Sequence, residues 1–126
     1  AQNKDKKTVI FSYTDKIPVL MDACDLIITK PGGMTITEAL AKELPILVIS
    51  PIPGHEEKNA SFLVDSGAAI RVYENDNIEK LISQIVDDTL TFSQMKQKAG
   101  YLSKPDSAQK IVALLERLVV KLQGVC

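Results

Sequence analysis

The run Pro45 to Ser50, PILVIS, constrains this chain more than any other segment. It is almost uninterruptedly apolar, too short for an ordinary helix, and rich in β-branched residues, so it reads as a strand buried on both faces. Strands of that kind belong to parallel sheets whose crossover helices cover both sides. The flanking sequence agrees. Asp25 opens a second apolar run, Leu26 to Thr29, which stops at Lys30-Pro31-Gly32-Gly33. Strong helix formers follow from Thr35 to Glu43, with Ile36, Ala39 and Leu40 on one side.

The same alternation extends outward. Thr8 to Tyr13 (TVIFSY) is predicted to be the first strand, followed by a helix carrying Ile17, Leu20, Met21 and Cys24. After the Pro51 to Gly54 loop, Ala60, Leu63 and Val64 line a helix that stops at Ser66-Gly67, and Ala68 to Val72 supplies another strand. Helical spacing then runs from Ile78 to Asp87, and further helices are predicted over Phe92 to Gly100 and Ser107 to Leu122. The fold class is α/β: a partial Rossmann-like parallel sheet with helices on both faces. At 126 residues and 45% hydrophobic content, the chain holds one core and not two.

Several functions are excluded at this level. A formal charge of -1, 5% aromatic residues and no Trp leave no footprint for nucleic acid. Cys24 and Cys126 lack the spacing of a metal site or redox pair, so neither a metal nor a disulfide is expected, and a reducing cytosolic setting fits. No apolar run reaches the roughly 18 residues of a membrane span, and Ala1 to Lys7 is polar rather than a signal sequence. Any membrane contact is therefore expected to be peripheral.

Open parallel sheets bind ligands beyond the carboxyl ends of their strands, which directs attention to residues 13–16, 29–35 and 51–59. The Lys30 to Thr35 segment ends a strand and opens a helix, so free N–H groups and the positive end of the helix dipole converge there. Gly32 and Gly33 would let a phosphate approach the main chain, although a turn needing positive φ explains the same pair. Thr35 and Glu38 have the spacing of a capping box; alternatively, the Glu38 carboxylate accepts hydrogen bonds from two ribose hydroxyls. His55, Glu56 and Glu57 sit where a helix would begin, with the two acids favourably placed against its dipole, and the sequence shows no catalytic partner that would make His55 a catalyst.

The stretch Asp25 to Val72, with the composite pattern TKPGG-x-T-x-TEA followed by P-x-PG-x-E-x-x-NA, resembles the C-terminal domain of the bacterial diacylglycerol glucosyltransferases and plant monogalactosyldiacylglycerol synthases. It is more distantly similar to the N-acetylglucosaminyltransferase acting on the peptidoglycan precursor. The resemblance implies a GT-B enzyme in which two Rossmann-like domains face each other, the C-terminal one binding a UDP-sugar and the N-terminal one a lipid acceptor and the catalytic base. By that likeness Gly32, Gly33 and Thr35 hold the diphosphate, and Glu38 takes the ribose. Tyr13 and Thr14 lie where the main chain meets uracil. His55, Glu56 and Asn59 read the donor sugar, with His55 standing where relatives have glutamine, so the sugar's identity stays open.

The implied activity is inverting transfer of a hexose from a UDP-sugar to a lipid, with diacylglycerol as acceptor, at the cytoplasmic face of a membrane. The UDP-sugar is a substrate, and no cofactor is expected. The alternatives are a peptidoglycan-precursor N-acetylglucosaminyltransferase, a UDP-sugar 2-epimerase or a non-catalytic nucleotide-sugar-binding module. On the family's plan, residues 1–126 form only part of the C-terminal domain, without its first strands or the acceptor domain, and catalytic residues are expected outside it. Such a piece is expected to transfer no sugar alone. It should either pair Thr8 to Tyr13 with the remaining sheet or self-associate through an exposed strand edge.

Overall fold

A computed structural model describes residues 8–124. Its core is a three-stranded parallel sheet in the order β1-β2-β3, formed by β1 (Ile27–Thr29), β2 (Ile46–Val48) and β3 (Ala69–Arg71). Ile27 stands opposite Ile46 and Ile46 opposite Ala69, so the strands start level and end level. The helices α1 (Ile17–Ala23), α2 (Gly33–Ala41), α3 (His55–Asp65), α4 (Ile78–Asp87), α5 (Thr89–Leu102) and α6 (Ser107–Gln123) complete the chain.

The central strand behaves as its composition dictates. Ile46, Leu47 and Val48 are all fully buried, and successive side chains serve opposite faces. Ile46 and Val48 join Met21, Ile36, Leu40 and Leu63 in a core beneath α1, α2 and α3. Leu47 joins Val72, Ile85 and Met95 in a second core beneath α4 and α5. Helix α5 serves both, with Met95 in the second core and Ala99 in the first. It comes so close to the turn after α2 that a Cβ on Gly100 would lie 2.9 Å from Glu43 Oε1.

The N-terminal expectation fails. Thr8 to Tyr13 forms no strand and pairs with no described residue; Ile10 is 89% and Tyr13 85% exposed. A β-branched run becomes a strand only where a partner edge and an apolar cover are available, and the run here has neither. Edge pairing by Thr8 to Tyr13 is thus ruled out for the described residues. Cys24 is an exposed free thiol; Cys126 lies outside the described residues.

Helix α5 starts at Thr89 rather than Phe92 because Asp88 caps it. The Asp88 carboxylate accepts from the Thr91 N–H at 3.1 Å and from the Thr91 hydroxyl at 2.6 Å. Those bonds, the hydroxyl one foremost, hold its pKa below the usual carboxylate value. Helix α6 buries no residue of its own, and Ile111, Leu114, Leu115, Leu118 and Leu122 form an exposed stripe at helical spacing. No helix among the described residues is long and apolar enough to cross a membrane.

Candidate functional site

The carboxyl ends of β1 and β2 open into two of the three segments singled out by sequence, residues 29–35 and 51–59, and a side-chain hydrogen bond ties these together. After Thr29 the chain turns through Lys30, Pro31 and Gly32; the Thr29 hydroxyl and the Gly32 N–H both donate to the Lys30 carbonyl, at 3.0 and 2.9 Å. Pro31 is fully buried and anchors the turn. Asn59, on the second turn of α3, donates its amide N–H to the Pro31 carbonyl at 2.9 Å.

Helix α2 begins at Gly33, two positions before the sequence reading placed it. Gly32 occupies the N-cap position, with no side-chain cap, at φ -68° and ψ 143°. The capping box of Thr35 and Glu38 therefore does not form. Thr35 already lies inside the first turn, and a residue with helical backbone cannot place its side chain over the N–H groups ahead of it. The amides of Gly33, Met34 and Thr35 have no acceptor within the helix, as in any first turn. The Ile36 N–H closes that turn onto the Gly32 carbonyl at 3.0 Å.

The glycine pair has no conformational reason to be glycine. Neither residue adopts positive φ, and a Cβ built on either would meet nothing within 4 Å. A turn requiring left-handed backbone is thus excluded as the explanation. Gly33, Met34, Thr37 and Glu38 line an open hollow of about 500 Å³ on one face of α2. Chemically, this is a helix N-terminus with uncommitted N–H donors, no side chain in the way and a carboxylate just over one turn along.

The second loop is held by its own acids. Gly54 uses φ 104°, a conformation glycine tolerates, to turn the chain into α3. Glu56 Oε2 accepts from the Ile52 N–H at 2.8 Å, folding the Pro51 to Gly54 segment back on the helix start. Glu57 forms a two-pronged ion pair with Arg71 at the end of β3. That pairing raises the Arg71 pKa above its ordinary value. The Arg71 guanidinium also stacks over the Tyr73 ring, 5.3 Å from its centroid. His55 is exposed as the first residue of α3.

Tyr13 and Thr14 stand apart from this arrangement in hydrogen bonding. The Thr14 hydroxyl accepts from the Lys16 N–H at 3.1 Å and caps the turn before α1, and no recorded bond among the described residues links either one to the glycine loop or α3. Sequence reasoning overlooked the Glu57–Arg71–Tyr73 group, whose Arg71 and Tyr73 line a separate cleft of about 550 Å³ over the ends of β2 and β3. A cation ending an otherwise apolar strand was its one signal. No group of acids, histidines and cysteines among the described residues could hold a metal ion.

Parallel strands, crossover helices and a donor-rich loop at their carboxyl ends define a Rossmann-like α/β half-domain of the GT-B type. Residues 1–113 match the glycosyltransferase family 28 C-terminal domain, and the chain belongs to that family. It is 38% identical over 112 residues to the processive diacylglycerol beta-glucosyltransferase of Bacillus subtilis, covering 89% of this chain and 29% of that protein. Proteins of the same description from Bacillus cytotoxicus and Bacillus pumilus are 33% and 37% identical, over 84% and 79% of this chain and 27% and 26% of their own lengths. The chain thus spans less than a third of the length of these relatives.

Proposed function

We propose that this chain is the UDP-sugar-binding part of a glycosyltransferase that moves a hexose, with inversion, to a lipid acceptor, diacylglycerol. The observation that carries the reading is the glycine pair at the start of α2: two positions with no backbone or packing need for glycine face open space beside uncommitted N–H donors. A diphosphate is the group whose size and charge use that space. In this reading Gly32, Gly33 and Thr35 hold the diphosphate, Glu38 accepts the ribose hydroxyls, and the backbone at Tyr13 and Thr14 meets the uracil. His55 and Glu56 face the sugar. The likeness to processive diacylglycerol beta-glucosyltransferases supports diacylglycerol over a peptidoglycan precursor as acceptor.

The enzyme needs a second, acceptor-binding part, and we place catalysis there; this chain by itself is expected to transfer no sugar. Contact with the bilayer is peripheral, on its cytoplasmic side. A second copy can pair along the open edge of β1, and light scattering that finds only monomer at high concentration would remove that proposal.

Isothermal titration with UDP, UDP-glucose and UDP-galactose tests the site. Glu38→Gln should weaken binding of all three by about 1.5–3 kcal/mol, the range for hydrogen bonds to a charged group. Because no capping box exists to be lost, the variant should melt with the unaltered chain. Unchanged UDP affinity would remove Glu38 from the ribose. His55→Gln and His55→Ala should instead change the ratio of UDP-glucose to UDP-galactose affinity and leave UDP itself alone. An equal loss for UDP would show that His55 does not read the sugar.

A further inference from the structure

Asn59 was read from sequence as a sugar contact, yet its amide N–H is already committed to a main-chain carbonyl 28 positions earlier, at Pro31. That carbonyl belongs to the peptide plane joining Pro31 to Gly32. The N–H of the same plane donates to Lys30 at 2.9 Å, so both ends of the plane are fixed, one within its own turn and one from α3. The next residue, Gly32, has no side chain to restrict it, and glycine is the residue least able to hold one conformation unaided. The next plane, which carries the Gly33 N–H, is held at its far end by the Ile36 N–H donating to the Gly32 carbonyl at 3.0 Å, so fixing the Pro31–Gly32 plane as well leaves only the two Gly32 torsions between two anchored planes.

Helix α3 is itself well placed to serve as the fixed partner. Glu56 ties it to Ile52, Glu57 ties it to Arg71 on β3, and Ala60 and Leu63 are fully buried beneath it. Asn59 lies between these anchors and is half-buried.

We infer that Asn59 is a positioning residue for the β1–α2 loop: its amide orients the Pro31–Gly32 peptide and so pre-aims the Gly33 to Thr35 donors at an anionic ligand. The inference rests on the reading of that loop as a diphosphate cradle. It assigns Asn59 to the phosphates rather than to the sugar, and it makes the two loops one rigid unit.

The test compares Asn59→Ala and Asn59→Asp with the unaltered 126-residue chain, against uridine, UDP and UDP-glucose. Aspartate keeps the shape but, ionised, cannot donate to the carbonyl. Both variants should lose affinity for UDP and UDP-glucose by the same factor, roughly three- to tenfold for one neutral hydrogen bond, with uridine unaffected. A loss confined to UDP-glucose would return Asn59 to the sugar and overturn the inference, as would an equal loss for uridine. Hydrogen exchange at the Gly32 amide provides a ligand-free readout. It should quicken by about tenfold in Asn59→Ala while exchange at the Ile46 amide in β2 stays unchanged. Unchanged Gly32 exchange overturns the inference even if UDP binds; failure of the unaltered chain to bind UDP, with Gly32 exchange quickened, overturns the diphosphate reading instead.

Discussion

Replacing both glycines at the start of α2 should raise the melting temperature of this chain and cost it most of its affinity for UDP. In Gly32→Ala/Gly33→Ala each new Cβ enters open space, and neither backbone needs positive φ. Removing glycine freedom from the unfolded chain at such compatible positions stabilises by about 0.4–1 kcal/mol each. For a ligand the same methyls are obstacles. They hold a phosphate away from the Gly33, Met34 and Thr35 amides, and losing even one charge-assisted bond costs about 1.5–3 kcal/mol, or tenfold to more than a hundredfold in affinity. Stability and binding should therefore move in opposite directions, a signature that general damage to the fold cannot imitate. A double variant that melts higher and binds UDP undiminished would leave the cradle without support.

The second large effect concerns the sheet. Leu47→Ala should destabilise the chain by about 2–5 kcal/mol, against a total of about 5–15 kcal/mol for an ordinary domain. Leu47 is fully buried at the centre of the core shared with Val72, Ile85 and Met95, with α4 and α5 closed over it. A cavity there has little room to collapse, because the strand on either side of Leu47 is pinned by Ile46 and Val48 in the opposite core. Leu47→Met, which nearly conserves volume, should cost less than about 1.5 kcal/mol. Ile28→Ala, at a 40% exposed position on the edge strand, should be tolerated better than Leu47→Ala. Urea denaturation followed by circular dichroism measures all three. Equal midpoints for Leu47→Ala and Ile28→Ala would mean that the two-sided core does not carry the stability assigned to it.

The order of elements from the first helix onward was legible in the sequence because it depends on local periodicity and on punctuation by glycine and proline. Helix α4 begins and ends where the spacing of Ile78, Leu81, Ile82 and Ile85 places it, and β2 is the doubly buried strand its composition demands. The beginning of α5 was missed because the residues between Asp87 and Phe92 were assigned to no element, and Asp88 was not read as a helix cap. Thr35 and Glu38 carried a valid cap spacing, but spacing alone does not say at which residue a helix starts.

What the sequence determined by itself was the class of fold, the family and the positions of the loops at the carboxyl ends of β1 and β2, since these follow from short-range patterns and from a long composite motif. What only the tertiary structure decided was which side chains of those loops already have partners within the chain. Thr8 to Tyr13 has every mark of a strand and is none, since strand formation needs an edge that local sequence cannot supply. Asn59, Glu56 and Glu57 are neighbours on one helix, yet their partners lie at Pro31, Ile52 and Arg71, on three separate segments of the chain. A hydrogen bond between residues 28 positions apart has no periodicity and leaves no trace in composition; it exists only once β1 and β2 have paired and brought their loops to the same end of the sheet.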